Sequence, residues 1–548
     1  MRSASCLLVL SLSAFAVAAD QPAEDKADLS IVHRIKAEAF QNSQIMDTLF
    51  YLSDANGPRV TNSKGFKSAA AWVVKRLQEY GLSNVKQEEW GVFGKSWDLE
   101  HYEGHMLEPQ YSPLIGFPLA WTAGTNGKLQ GEAILAVMTA EADFEKFRGK
   151  LRGKMVLTQA PRDLTISTTP LAHRLTGEEL FARTMTPDPG ARGGGPFGAP
   201  QANAAAGRGG RGGGRGGNAD PADPQAARRF RDRLNAFLKD EGVAVAIQAT
   251  TVADGGTVFG TSGGGYKARD PLPGPMVVLT PEHYNRIARL LERSMPVKLE
   301  FDIRSTTGTT DEPSINVIGE IPGGKKKDEV VMIGGHLDSW HGGTGATDNG
   351  TGSSVAIEAM RILKALNVTM DRTVRIGLWS GEEQGLLGSI AYVKNHFADR
   401  ADMKLKPEYA KLSAYYNSDT GTGKFRGIGA GGNDLAVPIF EAWIKPFHDL
   451  GLTVVSGVSQ ASNRTPGGTD HTSFDYAGLP GFGFLQEPME YSTRTHHSNM
   501  DTYDRVQKGD VMQSAAIMAA FAYHTAMRPE MMPRTPTPKP TPWPANRQ

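Results

Sequence analysis

The sequence lacks a net charge, a long apolar run and any cysteine beyond its first residues. Cys6 is the only cysteine, so no disulfide can form within the chain and a cysteine-based zinc site is excluded. Lys+Arg and Asp+Glu each number 59, so the formal charge is zero. Nucleic-acid partners usually require a basic face, and we expect none here. No stretch reaches the roughly 20 continuous apolar residues of a membrane helix, and we expect no membrane anchor.

Residues 1–19 have the organisation of a secretory signal peptide. Arg2 precedes the apolar run from Leu7 to Val17, which ends in small residues of the A-x-A type. The alternative is a buried N-terminal helix; the run is too short to span a bilayer. We therefore expect the segment to be removed and the protein to be secreted or periplasmic. Its mature form would contain no thiol.

Periodicity predicts an α/β fold for most of the remaining chain. Apolar residues recur three or four apart within residues 20–126 and predict helices there. In residues 304–527 strands and helices alternate, with Val330 to Ile333 and Val374 to Trp379 as buried strands. Such strand–helix–strand units build a mixed, mostly parallel central sheet flanked by helices. Ligands of sheets of this type gather at the carboxyl ends of the strands.

A β-rich insert separates these two regions. Short apolar strands divided by glycines predict it over residues 127–303. Within it, residues 189–220 are so rich in Gly and Arg that we expect a disordered loop; RNA binding is the alternative for its Arg-Gly-Gly repeats. The Pro-rich tail, residues 528–548, is predicted to be an extended terminus.

Acidic and histidine residues follow the predicted strands, at the edge where such sheets bind ligands. They lie in the segments His336-Leu337-Asp338, Asp348-Asn349-Gly350, Glu382-Glu383, Asp419-Thr420-Gly421 and His496-His497. Each segment alone has an ordinary structural explanation, such as a hydrogen-bonded pair or a turn. Together they offer the imidazole and carboxylate ligands that zinc takes when no thiolate is present, although cobalt or manganese would fit the same set.

The segments can be divided between two metal ions. Two ions about 3.5–4 Å apart need a bridging carboxylate, and Asp348 suits that role because it lies in a Gly-rich turn. His336 and Asp419 can complete one ion. Glu383 and His497 can complete the other.

Two further acids support the metal ligands in this scheme. Asp338 can hold the free imidazole N–H of His336 and fix its tautomer. Glu382 cannot easily share an ion with Glu383, because successive side chains diverge at a strand end. We expect it to act as general base.

The order His-x-Asp, Asp-Asn-Gly, Glu-Glu, Asp and His resembles the co-catalytic zinc exopeptidases, which include leucyl aminopeptidases, aminopeptidase Y and carboxypeptidase Q. The resemblance implies two zinc ions on the five ligands above and Glu382 as the base. It also implies a secreted enzyme that removes N-terminal residues from peptides by means of a metal-activated water. Residues 20–126 and 304–527 would form the peptidase domain, and residues 127–303 a protease-associated domain.

Several positions refine the resemblance. His497 is preferred to His496 as the ligand because Asp501-Thr502 follows it at the family's short step. His496 can stabilise the oxyanion or can instead support a ligand. His341 and Asn349 stand where relatives tend to carry acids, which leaves the metal ligands unchanged.

The alternatives concern the reaction and not the fold. A carboxypeptidase Q-like dipeptidase or carboxypeptidase fits the same motif, and Arg464 and Arg494 do not decide between a free amine and a free carboxylate. A silent binding protein would be expected to lose ligands, and a glutaminyl cyclase-like transferase to lack the full set. A peptide is the expected partner, and the sequence also allows an oligomer.

Overall fold

The computed structural model describes residues 25–184, 224–250, 255–456 and 468–541. The predicted signal peptide, the Gly/Arg-rich residues 189–220 and the end of the Pro-rich tail lie outside these residues. None of the helices in the described ranges is long and apolar enough to cross a membrane.

The described chain forms sixteen strands and twelve α-helices. The strands are β1 Ser83–Gly94, β2 Trp97–Glu108, β3 Ser112–Pro113, β4 Gly116–Pro118, β5 Leu129–Leu135, β6 Met155–Leu157, β7 Val245–Ala249, β8 Met276–Leu279, β9 Lys298–Thr307, β10 Glu312–Ile321, β11 Lys326–His336, β12 Arg372–Trp379, β13 Leu412–Asn417, β14 Phe425–Gly429, β15 Val454–Ser456 and β16 Gly481–Gln486. The helices are α1 Leu29–Gln41, α2 Ile45–Phe50, α3 Lys64–Glu79, α4 Phe144–Phe147, α5 Gly177–Thr184, α6 Pro224–Asp240, α7 Pro281–Glu292, α8 Thr351–Ala365, α9 Leu387–His396, α10 Val437–Ile444, α11 His471–Tyr476 and α12 Lys508–Met527.

The first sheet has the order β1-β10-β12-β11-β13-β16-β14-β15. Its four central strands, β12, β11, β13 and β16, are parallel to one another. The pairs β1–β10, β10–β12 and β14–β16 are antiparallel. The sheet is therefore mixed with a parallel centre, as the sequence predicts.

Two helices that are buried on all sides cover this sheet. The predicted apolar face of α8, which includes Val355, Ala359 and Leu363, is buried, and the residues between them are buried as well. Helix α12 is buried without interruption from Asp510 to Ala526 and packs on both α8 and the sheet. Helices buried in this way lie in the interior of the domain, and the polar side chains that they carry are paired there, as Arg361 is with Glu358.

The second sheet has the order β3-β2-β9-β5-β6-β7-β8-β4 and includes the strands of the predicted insert. It also takes strands from residues 97–118, which precede the predicted start of the insert at residue 127. Helices α4 to α7 lie in the same stretch of chain, so the insert is less uniformly β-rich than its glycine-divided strands indicate. The domain boundaries stay predictions.

His341 lies where the two sheets meet. Its ring packs against Trp97 and Phe117, with centroids 4.7 and 5.4 Å away, and its Nε2 lies 2.7 Å from the Pro118 carbonyl oxygen. Burial lowers the pKa of His341 to about 4. A neutral imidazole thus joins the loop after β11 to the second sheet.

Candidate metal centre

The predicted site residues lie at the carboxyl ends of the four parallel strands of the first sheet. His336 is the last residue of β11, and Asp419 follows β13 by two positions. Glu382 and Glu383 follow β12, and the loop after β16 carries His497. Because these strands are neighbours, side chains separated by up to 161 positions in sequence meet at one edge of the sheet.

His336 and two carboxylates form one group of candidate ligands. The Nε2 of His336 lies 3.1 Å from Asp419 Oδ1 and 3.4 Å from Asp348 Oδ1. One ligand atom from each residue lies within 4.8 Å of the others. Burial would lower the pKa of His336, but the charges of Asp419 and Glu382 raise it well above its usual range.

His497 is the centre of a second group. Its Nε2 lies 2.8 Å from Glu383 Oε2 and 3.3 Å from Asp348 Oδ2. The ring of His496 stacks on that of His497 at 3.6 Å, and its Nε2 lies 3.7 Å from Asp348 Oδ2. The structure therefore brings His496 beside the same group as a further possible donor.

Asp348 lies between the two histidines, as a bridging carboxylate would. Its Oδ1 faces His336 and its Oδ2 faces His497. The carboxylate of Asp501 fixes this position by accepting hydrogen bonds from the backbone N–H groups of Thr347 and Asp348. Burial raises the pKa of Asp501 to about 7, and the charge of Asp348 adds to the effect.

Asp338 holds the two neighbouring glutamates through their backbone. Its Oδ1 accepts from the N–H of Glu382 at 3.3 Å, and its Oδ2 accepts from the N–H of Glu383 at 3.4 Å and from Thr61 Oγ1 at 2.9 Å. The His336 Nδ1 lies 2.9 Å from the Asp338 backbone carbonyl and 3.6 Å from its carboxylate. The backbone of Asp338 is thus the nearer partner of the imidazole, because its carboxylate is occupied by the glutamate loop.

The centre concentrates negative charge away from solvent. Burial and the neighbouring charge of Asp348 raise the pKa of Glu383 to about 7. Burial also raises the pKa of Glu382 well above its usual range, with Asp419 adding to the shift against the opposing charge of His336. Burial raises the pKa of nearby Asp470 to about 8. Acids in this state gain stability when cations neutralise them.

The donor set fits divalent metal ions. Glu383 Oε1 is buried and has no hydrogen-bond partner among the described residues, and Asp348 Oδ2 has only the imidazole rings of His496 and His497 beside it. A buried carboxylate oxygen without a partner is costly, and a metal ion would satisfy it. Two histidines and two carboxylates around the shared carboxylate of Asp348 are the nitrogen and oxygen donors that zinc accepts.

Arg59 is a buried residue whose role sequence reasoning missed. Its guanidinium donates to the backbone carbonyls of Leu52, Leu337, Thr344 and Gly345. These contacts fix the loops that precede Asp348 and follow His336. Gly57 and Pro58 precede it as turn residues, but no pattern of residue types in the sequence indicates which carbonyls the arginine contacts.

The arginines that bear on substrate choice are only partly described. Arg494 Nε lies 2.9 Å from Glu490 Oε2, and Arg505 Nη1 lies 3.0 Å from Glu490 Oε1. Arg464 lies outside the described residues. The charge of Arg494 is therefore paired within the protein.

Comparison with known proteins relates the chain to metallopeptidases. The profile of peptidase family M28 matches residues 316–522. Carboxypeptidase Q from Mus musculus is 26% identical over 491 residues, which cover 89% of this chain and 87% of the relative. The structure of a peptidase M28 precursor from Shewanella amazonensis SB2B superposes with a TM-score of 0.63 at 23% identity, covering 93% of this chain and 99% of that one. BSAP, a zinc aminopeptidase from Bacillus subtilis, gives a TM-score of 0.51 at 18% identity, with coverage of 88% and 94%. These structures share the mixed α/β fold.

Proposed function

Because the chain belongs to peptidase family M28 and is a zinc metallopeptidase, we propose that it is an exopeptidase that removes N-terminal residues from peptides. One observation carries the proposal. Asp348 lies between His336 and His497, each of which has an acidic neighbour, and Glu382 lies beside them.

Two zinc ions are part of the proposal. His336 and Asp419 would hold one ion, Glu383 and His497 the other, and Asp348 would contact both. When bound, the ions polarise the scissile carbonyl and lower the pKa of an attacking water towards roughly 7. The remaining steps belong to side chains of the protein.

Glu382 is proposed to move the proton. Its carboxylate is mostly buried, and Oε2 lies 3.9 Å from His336 Nε2. It can take a proton from the attacking water and later give it to the leaving amine. Burial and the charge of His497 lower the pKa of His496 to about 3, so its imidazole is neutral near pH 7 and can donate an N–H to the developing oxyanion.

The charges of the site favour a substrate with a free amine. Three of the ligands and the base are acids, and Arg494 is already paired with Glu490. A substrate carboxylate would need an unpaired arginine, which Arg494 does not offer, whereas an α-ammonium group could use a carboxylate oxygen that no metal ion takes, such as Glu383 Oε1.

A carboxypeptidase Q-like dipeptidase or carboxypeptidase is the second candidate. The observation that favours it is the similarity to carboxypeptidase Q, which extends over 89% of the chain. It uses the same metal ligands and base and differs only in which end of the substrate is held.

Export and a protease-associated insert complete the proposal. The charged start, apolar run and small-residue end of residues 1–19 support secretion or a periplasmic location. The second sheet supports a separate module within the catalytic chain. Mass spectrometry of the protein recovered from culture medium and periplasm would locate it, and an N-terminus after residue 19 is expected.

Hydrolysis by the purified protein tests the reaction. The substrates are aminoacyl-p-nitroanilides, free dipeptides and N-acetylated peptides, each with and without a chelator and beside Glu382→Gln. Cleavage of free-amine substrates that both the chelator and the substitution abolish is expected. Cleavage restricted to dipeptides or C-terminal residues would move the assignment to the second candidate, and no turnover with zinc bound would refute both.

A further inference from the structure

Residues 256–263, which we call the connecting segment, lie between the second sheet and the loop that carries His497. We call that loop, which follows β16, the metal-ligand loop. Ser262 forms a parallel bridge with Ala120, next to β4, and the Ala120 N–H donates to Thr261. Phe259 forms an antiparallel bridge with Ser498, the residue after His497. The segment therefore extends from the second sheet to the metal centre.

The second sheet anchors this segment firmly. Val258 is fully buried in an apolar cluster that also contains Phe117 of β4 and Met276 and Val278 of β8. A residue packed in this way cannot move without disturbing the core of the second sheet. The position of the connecting segment is therefore fixed relative to the second sheet.

Asn499 ties the metal-ligand loop to the segment with three hydrogen bonds. Its Oδ1 accepts from the Val258 N–H at 2.7 Å, and its Nδ2 donates to the Gly256 carbonyl at 3.0 Å. Its own N–H donates to the Val258 carbonyl at 3.1 Å. The side-chain amide therefore hydrogen-bonds to the backbone of two residues of the segment, as the backbone of a neighbouring strand would.

His497 depends on this attachment for its backbone conformation. Its φ is +61°, in the left-handed region that a residue with a side chain rarely adopts. Its carbonyl accepts a hydrogen bond from the Gly260 N–H at 3.1 Å. The connecting segment therefore binds the backbone of His497 as well as Asn499. Conformations of this kind persist only where surrounding contacts fix them.

We propose that Asn499 is a positioning residue through which the second sheet sets the place of His497 and hence the affinity of the zinc position that His497 shares with Glu383. The proposal rests on the ligand role of His497 in the proposed function. The three hydrogen bonds of Asn499 go to Val258 and Gly256 and to no candidate ligand, so its effect on His497 is transmitted through the backbone of the loop. Groups that orient a metal ligand in this way commonly change affinity 10- to 100-fold when removed.

Zinc binding by the full chain tests the proposal. Asn499→Ala would be titrated with zinc against a chromophoric chelator, and bound zinc counted per chain. We expect one of two positions to weaken by about 10- to 100-fold while the other keeps its affinity. No peptide is involved, so a failure of the proposed exopeptidase activity would appear separately, as absent turnover with metal binding intact.

Asn285→Ala is the matched control. Asn285 also clamps a neighbouring segment with its amide, since it accepts from the Arg162 N–H at 2.9 Å and donates to the Arg162 carbonyl at 2.6 Å. It lies on α7, which packs on β5 and β7 of the second sheet, and its hydrogen bonds among the described residues go to Arg162 and not to the metal-ligand loop. We expect comparable loss of thermal stability from both variants and weaker zinc binding only from Asn499→Ala. The proposal would be overturned if Asn499→Ala bound zinc as tightly as the unsubstituted chain. It would also be overturned if Asn499→Ala and Asn285→Ala lost zinc affinity equally.

Discussion

Replacing Arg59 with methionine tests whether one buried cation holds the loops that carry the candidate metal ligands. Its Nε donates to Leu337 at 2.7 Å and its Nη2 to Gly345 at 2.8 Å, while Nη1 reaches Leu52 at 2.7 Å and Thr344 at 3.0 Å. Burial lowers the pKa of Arg59 to about 10, so the group stays charged near pH 7. Methionine keeps much of the volume and removes every donor.

The magnitude follows from the carbonyls left behind. Gly345 keeps a second partner, because its carbonyl also accepts from the Gly350 N–H at 2.9 Å. Leaving each of the other three carbonyls without a donor costs about 1–3 kcal/mol. Removal of the buried charge offsets part of that cost, since its desolvation penalty disappears. We expect the free energy of unfolding to fall by about 3–5 kcal/mol.

The assay compares Arg59→Met with Arg372→Met. Arg372 is equally buried and donates to the carbonyls of Thr525 and Arg528, but it lies at the start of β12, away from the centre. Denaturant unfolding should show a loss in both variants, whereas zinc affinity should fall only in Arg59→Met. Arg59→Lys keeps the charge without the planar fork of donors, and we expect it to recover little affinity. An Arg59→Met protein with the original stability and zinc affinity would refute the reasoning.

Three further outcomes are expected. Glu382→Gln should lower kcat about 10²- to 10⁴-fold with unchanged zinc content, and lost zinc would instead make Glu382 a ligand. A chelator should lower the midpoint of thermal unfolding, because ions that bind only the folded chain stabilise it by mass action; an unchanged midpoint would contradict this. The pKa of His341 is about 4 in the folded chain and near 6.5 in the unfolded one, so stability should fall as the pH drops from 6.5 to 4, by about 3 kcal/mol in all. The stability of His341→Gln should not show this loss between pH 6.5 and 4. A pH dependence of unfolding identical to that of the unsubstituted chain would contradict the assignment to His341.

The clustering of the candidate ligands could be predicted because it follows from local patterns. The apolar runs before His336, Glu382 and Asp419 mark buried strands, and parallel strands bring their carboxyl ends to one edge. The sequence therefore indicated which side chains meet, although it could not supply their distances. Asp348 was expected between the two groups because it lies in a Gly-rich turn between β11 and α8, and its carboxylate does lie between the two histidines.

The supporting contacts could not be predicted because they join distant residues through the backbone. Arg59 reaches a carbonyl 278 positions away, and Asn499 one 243 positions away. Backbone carbonyls exist at every position, so no pattern of residue types identifies the one that a side chain will contact. The His336 imidazole contacts Asp338 as expected, but the nearest atom is its backbone carbonyl and not its carboxylate, which also accepts from the Glu382 and Glu383 N–H groups.

The separate roles proposed for Glu382 and Glu383 are consistent with their shared contact to the carboxylate of Asp338. Asp338 accepts from both of their N–H groups, so the backbone of the pair is held on one anion and the two side chains leave it in different directions. Glu383 reaches His497 at 2.8 Å, whereas Glu382 ends 3.9 Å from His336. If Asp338 were neutral but of equal shape, as in Asp338→Asn, its amide would present an N–H to one of those N–H groups. The pair would then lose its fixed geometry, and we expect the proposed metal position at Glu383 and the proposed proton transfer by Glu382 to fail together.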